Sequence, residues 1–203
     1  TPARGLAELR RAISGHYHDR YGIEVDANRI LVTPGATGAL QLTLAALVDP
    51  GRRVMLTDPG YPCNRNLVRL FEGRARAVPV GAAEGYQLTP ELAAAHWHEA
   101  TAALLVATPA NPSGTLLSRA ALRGLAELSR ARGAALIVDE IYQGLSYAAE
   151  DFTALELGDD LFVVNSFSKY FGMTGWRLGW LVAPEAYAKE AEKLAQNLFI
   201  AAP

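Results

Sequence analysis

Short, wholly apolar runs recur along this chain and alternate with segments of helical pattern. The clearest runs are residues 102–107, 134–138 and 161–164. Runs without polar alternation are typical of strands that are buried on both faces of a parallel sheet. We count about seven such strands separated by helices, which predicts an α/β protein: a three-layer αβα sandwich around a mixed, mainly parallel sheet.

The remaining elements follow from the same alternation. The strand runs predicted in addition are residues 29–33, 53–57, 75–80 and 178–183. Helical patterns occupy about residues 4–21, 39–47, 64–71, 119–132 and 184–199. Thr89 and Ser118 are predicted N-caps, and Pro90 then takes the first position of a further helix, a position that tolerates proline.

Composition excludes several classes of partner. Half of the 203 residues are apolar, a fifth are charged and the net charge is −2, so no basic surplus indicates nucleic acid and no apolar run is long enough to span a membrane. Cys63 is the one cysteine, which fits a reducing cytoplasm. A helical pattern begins within a few residues of Thr1, so we expect a fragment of a longer protein, with one domain over residues 1–203.

Small or polar residues follow four of the predicted strands. Residues 33–38 (Thr-Pro-Gly-Ala-Thr-Gly) open a helix, and such a turn either binds phosphate through its free N–H groups or is an ordinary helix start. Tyr61, between glycine and proline, either stacks on a flat ligand or packs on the surface. Two prolines bracket Asn111, which either aims its amide or is a common turn asparagine.

Asp139 follows a buried strand directly. A carboxylate at such a position needs a partner, or its pKa rises. Tyr142 lies on the same side of the chain if the backbone turns helical after Asp139. The alternative is that Asp139 is an N-cap.

Lys169 is the least expected residue of the chain. There are three lysines against sixteen arginines, and Lys169 stands in a Ser/Gly-rich loop just after a strand. Lys169 is either an ordinary loop lysine in water, as most lysines are, or a reactive amine: a lysine amine can form a Schiff base with an aldehyde, whereas the permanently charged guanidinium of arginine cannot. Trp176 and Trp180, which flank Arg177 in the residues that follow, are predicted to be core residues.

One ligand would explain the polar and reactive residues of all these loops. The motifs that they form resemble those of a known family. The chain is similar over essentially its whole length to the large domain of class I/II aminotransferases, the pyridoxal-phosphate-dependent proteins of fold type I. The resemblance rests on Gly35-Ala36-Thr37, Asp58-Pro59-Gly60-Tyr61-Pro62, Asn111-Pro112-Ser113-Gly114, Asp139-Glu140-Ile141-Tyr142, Ser166-Phe167-Ser168-Lys169 and Gly172-Met173-Thr174-Gly175-Trp176-Arg177-Leu178-Gly179.

The resemblance assigns roles to these residues. It implies that Lys169 forms the aldimine with pyridoxal 5'-phosphate and moves the substrate α-proton, that Asp139 pairs with the ring nitrogen, and that Asn111 and Tyr142 contact the ring oxygen while Tyr61 stacks on the ring. Lys169, Asp139 and Tyr142 are thus the expected catalytic residues, and no metal is expected. The residues expected at the phosphate are Gly35, Ala36, Thr37, Ser166, Ser168 and Arg177.

The implied function is an aminotransferase that moves an amino group between an amino acid and a 2-oxo acid. The resemblance also implies a homodimer, and it implies that the small C-terminal domain, an N-terminal segment and the arginine for the substrate carboxylate lie outside this chain. The amino donor and acceptor are therefore not predicted. Two alternatives share nearly every motif: a carbon–sulfur lyase or aminocyclopropane-carboxylate-synthase-like enzyme, and the aminotransferase-like domain of a transcription regulator.

Overall fold

A computed structural model describes residues 2–147 and 151–203, and seven strands of these residues form one sheet. Along the chain the strands are β1 (Ile30–Thr33), β2 (Arg53–Asp58), β3 (Arg74–Pro79), β4 (Thr101–Ala107), β5 (Ala135–Asp139), β6 (Phe162–Ser166) and β7 (Gly179–Val182). Their order across the sheet is β1-β7-β6-β5-β4-β2-β3.

Strand direction decides where the loops meet. The strands β2 to β6 run parallel to one another, and β7 is antiparallel to both of its neighbours, β6 and β1. Six strands therefore end at the same edge of the sheet, where β7 begins. The predicted mixed, mainly parallel sheet is confirmed, and the loops singled out in the sequence all lie along this carboxyl edge.

Helices cover both faces of the sheet. They are α1 (Ala7–Tyr21), α2 (Gly35–Leu47), α3 (Pro62–Leu70), α4 (Pro90–Ala95), α5 (Arg119–Ala131) and α6 (Glu185–Leu198). Buried residues of α1, α4 and α5 form one core with one face of the sheet, and buried residues of α2, α3 and α6 form a second core on the other face. This is the predicted three-layer αβα arrangement.

The two cores arise from the alternation of side chains along each strand. In β5, Leu136 and Val138 belong to the first core, whereas Ile137 belongs to the second. All three are at most 1% exposed. Because successive side chains of a strand point to opposite faces, a strand covered on both sides has to be apolar at every position, which is the pattern read in the sequence.

Two helices begin three or more residues away from their predicted starts. α2 starts at Gly35 rather than near residue 39, so the small-residue turn is the first turn of the helix itself. α1 starts at Ala7 rather than near residue 4, because the Arg4 carbonyl accepts a hydrogen bond from the Val32 backbone N–H (2.9 Å) and holds the preceding chain beside β1.

The predicted helix caps are confirmed. The Thr89 hydroxyl accepts from the Leu92 backbone N–H (3.2 Å), and the Ser118 hydroxyl accepts from that of Ala121 (3.1 Å). In the described residues, no helix combines the length and the apolar character that a membrane crossing requires.

Candidate active site

A cleft of about 210 Å³ opens at the carboxyl edge of the sheet. The loops after β1, β2, β4, β5 and β6 reach it, together with the turn before β7. Every residue predicted for the site except Gly35 lines this cleft, and these are Ala36, Thr37, Tyr61, Asn111, Asp139, Tyr142, Ser166, Ser168, Lys169 and Arg177. Residues that are far apart in the sequence thus converge on one cavity.

The lysine, the tyrosine and the asparagine form one group within the cleft. The Lys169 Nζ lies 5.4 Å from the centroid of the Tyr142 ring, and the Asn111 side-chain amide donates to the Tyr142 hydroxyl at 3.5 Å. Lys169 is exposed, so its amine can be reached from solvent. The arrangement places a primary amine and an oriented phenol on the same side of the cavity.

Asp139 is the buried carboxylic acid of the cleft. It ends β5 and is 6% exposed, and its Oδ1 accepts from the Ile141 backbone N–H at 3.0 Å. Burial raises the pKa of this carboxyl group to about 6, while the Ile141 hydrogen bond acts in the opposite direction. Asp139 therefore serves as a local cap of the following turn and also presents an acid that a cation in the cleft would stabilise.

Arg177 and two serines form a separate group of the cleft lining, which we call its anion end. The Ser166 hydroxyl donates to the Ser168 hydroxyl (2.9 Å), and an Arg177 Nη1 lies 3.5 Å from the latter oxygen. A Cβ added to Gly35 would fall 2.8 Å from the Arg177 Nη2, so Gly35 leaves the space in which the guanidinium lies. Gly35 therefore contributes to this end without lining the cavity.

The first turn of α2 adds backbone donors to the same end. Ala36 and Thr37 belong to this turn, whose N–H groups have no partner within the helix and whose dipole is positive. Gly179 of β7 packs against it, since a Cβ at Gly179 would lie 2.6 Å from the Gly35 carbonyl carbon. A guanidinium, two hydroxyl groups and a helix start thus converge in the geometry of an anion site.

Tyr61 lines the cleft at the start of α3. Its side chain is partly exposed, and Pro62 takes the first position of the helix. Two causes raise the pKa of the Tyr61 phenol: the larger is a hydrogen bond with the Cys63 thiol, and the second is burial. The ring therefore remains a neutral aromatic surface at neutral pH.

The structure adds Thr174 to the lining and corrects the assignment of Trp176. Thr174 donates from its hydroxyl to the Ser168 carbonyl (2.5 Å) and lines the cleft; the sequence signal available for it was a hydroxyl residue between Met173 and Gly175. Trp180 is buried as predicted, but Trp176 is 67% exposed, because Thr174–Trp176 form a 3₁₀ turn on the surface. The core prediction for Trp176 was wrong.

The two ends of the cleft require different chemistry from a ligand. Arg177 and the helix start favour an anion, Asp139 favours a protonated nitrogen, and Lys169 supplies a primary amine in the same cleft. The residues present therefore fit a phosphorylated ring compound with a basic nitrogen and an aldehyde. In the described part of the chain, no three His, Cys, Asp or Glu residues are grouped in a way that could hold a metal ion.

The α/β fold resembles that of solved aspartate aminotransferases. The structure superimposes on that of an aminotransferase from Mycobacterium tuberculosis with a TM-score of 0.96 and 37% identity, covering 100% of this chain and 53% of that one. A family model described as aminotransferase class I and II matches residues 1–203. The chain belongs to the class I and II aminotransferase family.

Two curated relatives show the spread of the family. The chain is 37% identical over 203 residues to the valine–pyruvate aminotransferase of Mycobacterium tuberculosis, covering 99% of this chain and 52% of that protein. It is 35% identical over 202 residues to the aspartate aminotransferase of Streptomyces avermitilis, covering 97% of this chain and 50% of that protein. The chain spans about half the length of the curated relatives that it matches.

Proposed function

We propose that the protein to which this chain belongs is a pyridoxal-phosphate-dependent aminotransferase that moves an amino group between an amino acid and a 2-oxo acid. Residues 1–203 would be its large, cofactor-binding domain. The observation that carries the proposal is the meeting of Lys169, Asp139 and Arg177 in one cleft. Membership of the class I and II aminotransferase family supports it.

The residues around the cleft divide into three groups toward the cofactor. Asp139 would bind the protonated ring nitrogen, Asn111 and Tyr142 would bind the ring oxygen, and Tyr61 would stack on the ring. The phosphate would lie among Gly35, Ala36, Thr37, Ser166, Ser168 and Arg177. When bound, the cofactor supplies an aldehyde and a ring that accepts electrons.

The chain's own chemistry in this scheme is the movement and holding of protons. The Lys169 Nζ would take the α-proton of the amino acid and return it during the transfer. Asp139 would stay ionised beside a cationic ring nitrogen and so keep the proton on that nitrogen. The Tyr142 hydroxyl, oriented by the Asn111 amide, would donate to the ring oxygen and hold the ring in place.

Assembly and location extend the same proposal. We expect a cytoplasmic homodimer, in line with the single cysteine and the family resemblance. Among the described residues, Arg177 is the arginine that lines the cleft, and it lies at the anion end. We expect another part of the protein to supply the group that binds the substrate carboxylate. That part would then also decide which amino acid is bound.

The proposed function is tested by attaching the cofactor covalently to the lysine that binds it. Sodium borohydride added to the protein loaded with pyridoxal phosphate should attach the cofactor covalently to the Lys169 peptide, as read by peptide mass spectrometry. Lys169→Ala should lose this attachment and lower transamination by about two to four orders of magnitude, since that is the typical contribution of a positioned acid–base group. Lys189→Ala, on the surface of α6, is the control and should keep both properties.

Two results would contradict the assignment. One is attachment at Lys189 or Lys193 instead of Lys169, and the other is a Lys169→Ala protein that transaminates at the wild-type rate. A product assay separates the lyase and synthase alternatives: transamination requires a 2-oxo acid acceptor and yields a new amino acid, whereas elimination proceeds with no acceptor.

A further inference from the structure

The residue after the lysine, Tyr170, is 44% exposed and contacts two other elements without lining the cleft. The Arg20 guanidinium carbon, at the end of α1, lies 4.8 Å from the centroid of the Tyr170 ring. Gly144 approaches the same ring, because a Cβ added there would fall 2.4 Å from the Tyr170 Cδ2. The ring is thus in contact with a cation and with the backbone of the turn that follows β5.

Asp151 connects the two groups that hold the ring. Its Oδ2 accepts from the Arg20 Nε (2.9 Å) and Nη2 (2.6 Å), and its Oδ1 accepts from the Gly144 backbone N–H (3.4 Å). The Tyr21 hydroxyl donates to the same Oδ2 at 3.3 Å. Arg20, Tyr170, Gly144 and Asp151 therefore form a closed ring of contacts, which we call the Tyr170 clamp.

The clamp joins the two segments that carry the amine and the phenol of the cleft. Tyr170 follows Lys169 directly, and Gly144 comes two residues after Tyr142. The loop itself is tight, since the Gly172 N–H donates to the Lys169 carbonyl at 3.0 Å. A movement of Tyr170 relative to Gly144 would therefore move the Lys169 amine relative to the Tyr142 ring.

We propose that Arg20, Asp151 and Tyr170 are positioning residues that hold Lys169 against the Tyr142 turn. They act from behind the loop and do not line the cleft. Arg20 is well suited to this because a guanidinium can stack on an aromatic face while it donates two hydrogen bonds to one carboxylate. The expected effect of the clamp on catalysis rests on the function proposed for Lys169. The positioning of the Lys169 side chain by the clamp does not depend on that function.

The first experiment measures the lysine in the protein without cofactor. The purified protein is treated with limiting acetic anhydride, and the acetylation of Lys169 is compared with that of Lys189 and Lys193 by peptide mass spectrometry. Arg20→Met should raise the acetylation of Lys169 relative to the other two lysines about threefold to tenfold, because the amine leaves the Tyr142 ring. The matched control is Arg11→Met, on the exposed surface of α1, which should leave the ratio unchanged.

A pair of variants at the ring tests the clamp independently of Arg20. Tyr170→Leu should reproduce the rise in Lys169 acetylation. Tyr170→Phe should stay closer to the wild-type ratio, because it keeps the ring that contacts Gly144 and the Arg20 guanidinium and loses only the hydroxyl that hydrogen-bonds with Arg20. Circular dichroism would confirm that each variant is folded. A folded Arg20→Met and a folded Tyr170→Leu that both acetylate Lys169 at the wild-type ratio would overturn the proposal.

The second experiment measures catalysis in the loaded protein. Arg20→Met should lower kcat about tenfold to a hundredfold and leave KM for the amino acid within about twofold, since misplacing a catalytic group by about 1 Å has this order of effect. A fall in kcat with an unchanged acetylation ratio would contradict the proposed route through Lys169. If the wild type fails to transaminate while the acetylation contrast persists, the proposed function is wrong and the clamp stands.

Discussion

At the level of single residues, Asp139 shows how a functional group can lower the stability of the fold. Its carboxyl group is buried with one backbone donor, and burial raises its pKa to about 6. In the unfolded chain the same group titrates near 3.9. The folded chain therefore keeps a proton that the unfolded chain releases between about pH 4 and pH 6, so the free energy of unfolding falls as the pH rises through that window.

Asp139→Asn should raise the stability of the cofactor-free protein at pH 7. The gain should be up to about 3 kcal/mol, because two pKa units correspond to that free energy and an amide has no charge to desolvate. It should fall to about 0.5 kcal/mol at pH 4, where the folded carboxyl group is protonated and the unfolded one is about half protonated. Urea unfolding of the two proteins at both pH values measures the difference.

The effect of Asp139 is measured as the difference in the free energy of unfolding between the wild type and Asp139→Asn at each pH. The pH dependence of the wild type alone would not isolate it, because Glu140 also titrates. Its carboxyl group is fully buried beside Asp139, and burial raises its pKa to about 8. It adds its own loss of stability up to that pH in both proteins, and Asp139→Asn reduces this loss slightly, because the Asp139 charge is the smallest of the causes that raise the pKa of Glu140. Asp19→Asn, at an exposed position of α1, is the control, and a gain of equal size there would contradict the explanation from burial.

At the level of elements, the anion end of the cleft depends on the contact between β7 and α2. Gly179 begins β7, and a Cβ there would lie 2.7 Å from the Ala36 backbone nitrogen and 2.8 Å from the Asn165 carbonyl oxygen. All of these neighbours are main-chain atoms, which cannot rotate away as a flexible side chain can. The absence of a side chain at Gly179 therefore sets the distance between the strand and the first turn of α2.

Gly179→Ala should separate β7 from the start of α2. We expect a loss of about 1–3 kcal/mol in the free energy of unfolding, the usual cost of overpacking. The affinity for pyridoxal phosphate should fall about tenfold, because the helix start moves away from Arg177 and about one hydrogen bond to a charged group is lost. Thermal unfolding and equilibrium dialysis measure the two effects.

Gly175→Ala provides the matched control in the same loop. A Cβ at Gly175 would meet nothing within 4 Å, so this variant should keep the wild-type stability and affinity. If both variants lost affinity equally, flexibility of the loop rather than the contact between β7 and α2 would be the cause.

At the level of the whole molecule, the sheet separates two cores that do not share side chains. Leu125 of α5 belongs to one and Leu44 of α2 to the other, and both are fully buried. Each helix layer therefore contributes its own apolar burial to a common sheet.

Leu125→Ala and Leu44→Ala should each lower the free energy of unfolding by about 2–5 kcal/mol, because each leaves a cavity in a close-packed core. The double variant should show the sum within about 0.5 kcal/mol, since the two sites share no partner. Urea unfolding of the four proteins measures the coupling. A larger coupling would mean that the sheet transmits strain from one core to the other.

Much of the fold was predictable because it depends on local pattern. The apolar run at residues 134–138 predicted β5, and the cap signals at Thr89 and Ser118 predicted two helix starts that the structure confirms. The start of α2 was predicted four residues late, since glycine and threonine are weak helix formers. Residues Gly35-Ala36-Thr37 are helical nevertheless, because their packing against Arg177 and β7 outweighs their weak helix propensity.

The sequence by itself determined which chemical groups the strand ends carry, including the lysine at position 169, because composition and periodicity are local properties. Only the tertiary structure decided that Arg20 and Asp151, which are 131 residues apart, hold the residue beside that lysine. It also decided that Trp180 is buried while Trp176 is exposed. Such contacts depend on strand order and on the path of each turn, and neither is encoded in the spacing of residues along one segment.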